Sequence, residues 1–368
     1  MMPAMLLLAG FTLAASDEPE RPSELPPLLK VPPAETPAAK GPRGPNGEYE
    51  PGYFYLPERS PEGPRRPAAC GPDGRIWIGV GLELAWMKAP TAPPLLRLGS
   101  AAGPVLYGGQ PVTSPMQTGL SLDAGIWMNE ARTIGFDASF LYLNATGSDT
   151  VIGPVSSATL ILPPNFVLAD PAAQTLGAFQ AGLNTHFSTG DVNSRTNLFC
   201  SADARLDTVA GYRYARLADD FEIYGKRLSP GNDIVRFRDE FHTDNQFHGG
   251  QVGVVGEWRR GGWFLTGAGK IAFGVVFSDS ESEGKFRHDL TVVPTGYFAQ
   301  PGTQQWSRFA VLPVAELAVG RQIGNHLRLA AGYRFSGLNR VARATDLLEA
   351  STSDYWVQSL SLSAEFRY

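Results

Sequence analysis

The stretch RIWIGVGLELAWM, Arg75 to Met87, places Ile76, Ile78, Val80, Leu82, Leu84 and Trp86 at every even position, with Gly79, Gly81, Glu83 and Ala85 between them. A period of two is that of a β-strand with one apolar face. The same alternation closes the chain in SLSLSAEFRY, Ser359 to Tyr368, where Leu360, Leu362, Ala364, Phe366 and Tyr368 share a face. Between these ends, Leu120 to Ile126 and Ile134 to Tyr142 repeat it. Gln246 to Trp258, Gly262 to Phe277, Phe309 to Gly320 and Leu327 to Phe335 read as further strands. Strands of ten or more residues are long for a soluble sandwich, where about five or six is usual.

The tract Asn197 to Leu217 is long enough for two strands with a tight turn near Ala204 to Asp207, which brings the count to ten. Nine would leave the C-terminus among the long connections and break the even number expected of bacterial barrels. Connections then alternate in length. Residues 88–118, 144–196, 218–245, 278–308 and 336–354 are long, whereas 129–132, 259–261 and 321–326 are short. Long loops on one side and tight turns on the other are what a transmembrane barrel shows, with its turns in the periplasm. The expected fold is therefore all-β, a closed up-and-down antiparallel transmembrane barrel of about ten strands, within a range of about eight to twelve.

Composition narrows the classes. Charged residues make up only 18% of the 368, against 41 Gly and 30 Pro, and the formal net charge is −5. That charge argues against nucleic acid held by bulk electrostatics. The longest apolar run, Met5 to Ala15, falls well short of the ~20 residues of a membrane-spanning helix, which excludes a helical membrane protein. Cys70 and Cys200 have no metal-ligand spacing, leaving two thiols or one bridge. Residues 1–16, MMPAMLLLAGFTLAAS, read as an export signal cleaved after Ala14-Ala15-Ser16, although no Lys or Arg precedes the apolar run. Residues 17–70 hold fourteen prolines and few aliphatics, so a disordered, proline-rich periplasmic tether is expected there, with the barrel over 71–368.

In a membrane barrel the aliphatic face meets lipid and the other face lines the lumen. By parity, the lumen should receive Glu83, Asp123, Asp137, Asp203, Asp207, Glu257, Glu316 and Glu365 together with Arg205, Arg213, Lys270, Arg328, Arg334 and Arg367. A soluble barrel would point the same residues the other way, and alternation alone does not separate the two. Aromatic placement favours the membrane reading. Trp258 and Trp263 bracket one short turn, while Trp86 and Trp356 stand at the opposite strand ends, as two interfacial girdles would. Trp77 and Trp127 have lumen parity and lend the girdle no support. Leu360, Leu362, Phe366 and Tyr368 look like the C-terminal signal by which barrels are recognised for insertion.

The chain also resembles the putative beta barrel porin-7 family of planctomycete-type bacteria. The resembling stretches are VLYGG (Val105 to Gly109), LSLDAGIWMNEARTIGFDASFLYL (Leu120 to Leu143), LDTVAGYRYARLADDFEI (Leu206 to Ile223), FHTDNQFHGGQVG (Phe241 to Gly253), GGWFLTGAGKIAFGV (Gly261 to Val275), FAVLPVAELAVG (Phe309 to Gly320), LRLAAGYRF (Leu327 to Phe335) and DYWVQSLSLSAEFRY (Asp354 to Tyr368). The resemblance implies an outer-membrane β-barrel with an inferred transport role. Two departures stand out: the stretch around Asp203 to Asp207 is shorter than the family's, and RVARATD, Arg340 to Asp346, keeps only part of the usual loop pattern.

No motif for catalysis, a metal or a cofactor emerges. His242, Asp244 and His248 bring imidazole and carboxylate donors within seven residues, but loop polarity is the plainer reading. The carboxylates of Asp233 to Asp244 lack EF-hand spacing. The expected function is porin-like passive passage of small polar solutes or ions. The alternative is a structural or surface-display barrel with a side-chain-plugged lumen, since ~8 strands are filled by their own side chains and open channels come with ~16. Expected partners are outer-membrane lipid, the barrel-assembly machinery during insertion, a second copy of the chain, and the cell wall through the proline-rich segment.

Overall fold

The computed structural model describes residues 71, 74–100, 102–112, 115–156, 158–162, 166–168, 175–228, 234–288, 291–293, 301–349 and 351–368. The chain divides into Met1–Gly63 and Pro64–Tyr368, and every described residue belongs to the second unit. The expected signal (1–16) and tether (17–70) lie outside the described residues.

Ten antiparallel strands form one ring: β1 (Ile76–Met87), β2 (Gln117–Trp127), β3 (Ile134–Ile152), β4 (Thr175–Cys200), β5 (Ala204–Leu228), β6 (Ile234–Arg260), β7 (Trp263–His288), β8 (Gly302–Ile323), β9 (Leu327–Val341) and β10 (Ser353–Arg367). Each pairs with its neighbours in sequence, and β10 returns to β1, where Leu82 stands opposite Leu362. Closure leaves no sheet edge within the bilayer, the condition for strands to cross lipid. None of the described helices is long and apolar enough to cross a membrane.

The ten-strand count is as expected, but the strands are far longer. Five of the expected connections prove to be largely or partly strand: 144–196 is taken up by β3 and β4, 218–245 by β5 and β6, 278–308 by β7 and β8, and 88–118 and 336–354 give up their ends to β2, β9 and β10. Strands β4 to β7 run 25 to 27 residues. A bilayer needs about 9–11. The surplus, about 15 residues a strand, raises a wall of roughly 40 Å above the membrane. These segments were illegible as strands because their alternation is reversed. Outward positions carry Glu222, Arg238, Glu240, His242 and Glu283, and inward ones carry Phe221, Ile223, Phe237 and Phe241.

At the opposite end the connections are tight. Gly261 (φ +58°) and Gly262 (φ +82°) close a two-residue hairpin between Arg260 and Trp263, the left-handed pair that such turns require. Asn129 caps the β2–β3 turn, its Oδ1 accepting from the Thr133 amide at 2.8 Å. The β4–β5 turn lies at Ser201 to Asp203, just before the expected Ala204 to Asp207. Cys200, beside it, is disulfide-bonded, and the other cysteine in the chain, Cys70, lies outside the described residues. A disulfide suits an oxidising compartment such as the periplasm.

Candidate functional site in the lumen

The lower lumen is a charged chamber of about 250 Å³. Its walls carry Glu83, Asp123, Asp137, Arg205, Asp207, Glu257, Lys270, Glu316, Arg328, Arg334, Glu365 and Arg367. Arg213 is buried next to it, donating to Asp191. Asp203 is the exception. It is exposed in the periplasmic turn and lines a separate rim cleft, because the turn falls three residues earlier than parity counting placed it.

Charges in the chamber are largely paired. Asp191 accepts from Arg213, from Ser139 Oγ at 2.9 Å and from Lys270 Nζ at 3.4 Å. Arg334 Nε lies 3.1 Å from Glu316, and Arg328 bridges Glu257 at 2.8 Å and Glu365 at 3.2 Å. Arg205 Nε meets Asp207 at 2.8 Å, and Arg195 lies 3.3 Å from Asp207 and 3.6 Å from Asp137. Glu83 accepts from Ser359 Oγ at 2.7 Å. Asp191 and Arg195 lie on β4 within 144–196, a stretch whose sequence reads as a connection. Asp191 sits in register with Arg213, and Arg195 lies two positions from Asn197, the register partner of Asp207.

The periplasmic mouth is narrowed by aromatic rings. Trp77 and Trp127 stand 5.3 Å apart inside the barrel, both buried. The Arg205 guanidinium lies 3.9 Å from the Trp127 ring and that of Arg328 3.6 Å from Phe264. Gly125 makes room for Trp77, since a Cβ there would come within 2.0 Å of the indole.

Above the chamber the lumen turns apolar. Ala85, Met87, Leu141, Leu143, Phe187, Ala215, Leu217, Phe247, Ala272, Val276, Ala310, Leu312, Val314, Leu338, Val341, Tyr355 and Val357 pack into one buried cluster. The β9–β10 connection then folds inward over it. A bulge at Leu338 to Val341 and the left-handed Arg340 (φ +58°) redirect the chain, so Ala342, Arg343, Ala344, Thr345 and Asp346 are buried within the barrel. Arg343 is 1% exposed and donates to Asp219 through Nε and through Nη2, the latter at 3.3 Å, and to the Lys88 carbonyl at 3.1 Å. Burial works against its charge, but Asp219 more than offsets that and holds the guanidinium above its ordinary range. Asn245 clamps the same segment, donating to the Ala342 carbonyl at 2.7 Å while its Oδ1 accepts from the Ala342 amide at 2.8 Å. A second apolar cluster, including Leu96, Tyr107, Phe179, Phe221, Phe237 and Leu348, fills the wall above. Burial pushes the Tyr107 phenol up to about 12.

Outside, Trp86, Trp258 and Trp263 are exposed and Trp356 is half-buried. Leu360, Leu362 and Phe366 are exposed on the outer face of β10, and Tyr368 is exposed just past its end. His242, Asp244 and His248 share the outer face of β6, yet each has its own partner: Asp220 at 2.6 Å, Arg216 at 2.8 Å and Tyr212 at 2.6 Å. Among the described residues no group of three or more His, Cys, Asp or Glu is arranged to hold a metal ion.

A closed ring of ten strands, apolar outside and charged within over the height of a bilayer, is the geometry of an outer-membrane barrel. The family model described as Putative beta barrel porin-7 matches residues 95–355. The chain belongs to this family. As a beta barrel porin-7 protein it resides in the outer membrane, among lipid. No curated protein matches its sequence. Solved structures similar to it include the outer membrane protease OmpT from Escherichia coli, at 10% identity and a TM-score of 0.46 over 82% of this chain and 98% of that one. Ail, the attachment invasion locus protein of Yersinia pestis, is similar at 11% identity and a TM-score of 0.27, over 80% of this chain and 99% of that one. The Pseudomonas putida toluene transporter TodX is similar at 9% identity and a TM-score of 0.24, over 81% and 90%.

Proposed function

We propose that this porin-family barrel stands closed, as an outer-membrane platform whose tall wall meets partners outside the cell, rather than as an open pore. The apolar cluster between the chamber and the outer mouth carries this reading, with Arg343 locked onto Asp219 above it. A hydrated solute would have to shed its water to cross such a layer. The test is conductance of the purified, folded protein in planar bilayers. Silence is expected, and stable ion-conducting steps from the wild type would overturn the reading.

Porin-like passage of small polar solutes or ions is the second reading, supported by the charged chamber lining. It requires the segment 341–349 to leave the lumen, so Asp219→Ala should then conduct where the wild type does not. Neither reading includes a catalytic step. Hydrolysis lost on changing His242 would be the minimum support for one. We also infer export through residues 1–16, cell-wall contact by residues 17–70, engagement of the barrel-assembly machinery through Leu360, Leu362, Phe366 and Tyr368, and lateral association with a second copy. Deleting the last three residues should leave the chain uninserted if that signal acts.

A further inference from the structure

The periplasmic edge of the apolar band is unevenly charged. The β2–β3 turn carries Glu130 beside Arg132, and the β4–β5 turn carries Asp203. Across β6, β7 and β8 the outward edge is purely basic. Register sets Trp263 opposite Arg260 on one side and opposite Arg321 on the other, so the three side chains form one row over three strands. All three are exposed, directly below the lipid-facing Trp258, Leu265 and Val319. The Arg321 guanidinium stands 5.8 Å from the Trp263 ring. Neither arginine is paired with a carboxylate among the described residues. Beside them opens a cleft of about 370 Å³, whose lining includes Arg260, Gln322, Asn325 and the bare backbone of Gly261 and Gly262, with Asp203 as its one acid.

We propose that Arg260, Trp263 and Arg321 bind the phosphodiester of an anionic phospholipid in the periplasmic leaflet. The chemistry has three parts. Guanidinium groups match phosphate oxygens in a fixed fork. A tryptophan at this depth seats its ring at the headgroup level with its body in the acyl region. A basic pair adjoining an apolar band suits an anion that carries its own hydrocarbon, which favours a lipid over a soluble phosphate.

The experiment is native mass spectrometry of the folded protein released from mixed micelles of phosphatidylglycerol and phosphatidylcholine. Bound phosphatidylglycerol should exceed phosphatidylcholine by on the order of tenfold. The double variant R260Q/R321Q should bring that ratio to about one while heat-modifiability shows the barrel intact, and R238Q on the wall should leave it unchanged. R321Q alone, the milder change, should give an intermediate ratio. Equal retention of the two lipids by the wild type, or an undiminished preference in the double variant, would overturn the proposal. So would displacement of phosphatidylglycerol by inorganic phosphate, which would mark the row as a site for the free anion.

Discussion

Strand β6 turns Val252, Val254 and Trp258 outward in its lower half and Arg238, Glu240 and His242 outward in its upper half, without a break between them. Its inward face changes the opposite way, from Gln251 and Glu257 below to Phe237, Phe241 and Phe247 above. One strand thus serves two solvents. Below, lipid rewards an apolar exterior and the polar interior must pair its own charges. Above, water surrounds the wall and the ordinary hydrophobic effect packs the interior. The boundary between the two is where the apolar cluster packs across the lumen, so the proposed closure follows from the change of solvent along the strand as much as from the loops.

The largest test of this division lies where the two interiors meet. Asp219→Ala leaves Arg343 buried without its partner, a loss of about 3–5 kcal/mol to the packing of the inserted segment. Faster amide exchange over residues 341–349, with exchange in β1 and β10 unchanged, is the expected readout. Replacing both residues by leucine should restore most of the protection, because two apolar groups need no partner. If the single change left exchange as slow as before, the Arg343 to Asp219 pair would not be what holds the segment.

Reciprocal surface changes come next. Leu82→Arg, on the lipid face near mid-bilayer, should destabilise the barrel by about 2–4 kcal/mol in a denaturant titration in lipid vesicles. Glu281→Leu, outward on the wall, should stay within about 0.5 kcal/mol. Similar costs for the two would place both surfaces in one solvent and dissolve the distinction.

How much of this was legible follows the same line. In β1 every outward residue is aliphatic or aromatic, and in β10 the same holds from Leu360 to Phe366 apart from the small Ala364, so period two with one greasy face announces a strand. In Phe237 to Asp244 the inward row is Phe237, Asp239, Phe241 and Thr243, only half of it aromatic, and the outward row of Arg238, Glu240, His242 and Asp244 is polar, so the alternation is weaker and has the sense of a soluble sheet. The reading in terms of lipid therefore passed over it as loop. The chamber lining was accessible because parity carries inward residues along any strand once its register is known. Asp203 failed since it sits in the turn, where parity ends. Arg343 and Asn245 left no local trace: their partners are 124 and 97 positions away, and only the inward bend at Arg340 brings them together.

The rigid end of the molecule offers a smaller test. Gly262→Ala places a Cβ at φ +82°, which an L residue resists by about 1–2 kcal/mol. The expected result is a lowered denaturation midpoint with the lumen's closure unaltered, since the hairpin lies below the chamber and makes no contact with the inserted segment. Increased conductance in this variant would tie the periplasmic turn to closure at the opposite end, and the two halves of the barrel would not act separately.

The smallest effect concerns acid. Asp346 belongs to the inserted segment above the membrane, where burial raises its carboxyl above the ordinary range even though Ser353 Oγ (3.0 Å) and the Arg343 amide (3.1 Å) donate to it. A raised folded value means that folding takes up a proton in that window. The associated stability is fully present below the unfolded value and is lost as pH rises through the folded one. Protection over 341–349, taken as exchange relative to the unstructured rate at the same pH, should therefore fall slightly as pH climbs out of the carboxylate range, and Asp346→Asn should flatten that dependence. The opposite slope would mean that the hydrogen bonds from Ser353 and Arg343 outweigh burial. The segment would then be held as a charged structure, closer in character to the chamber below than to the wall around it.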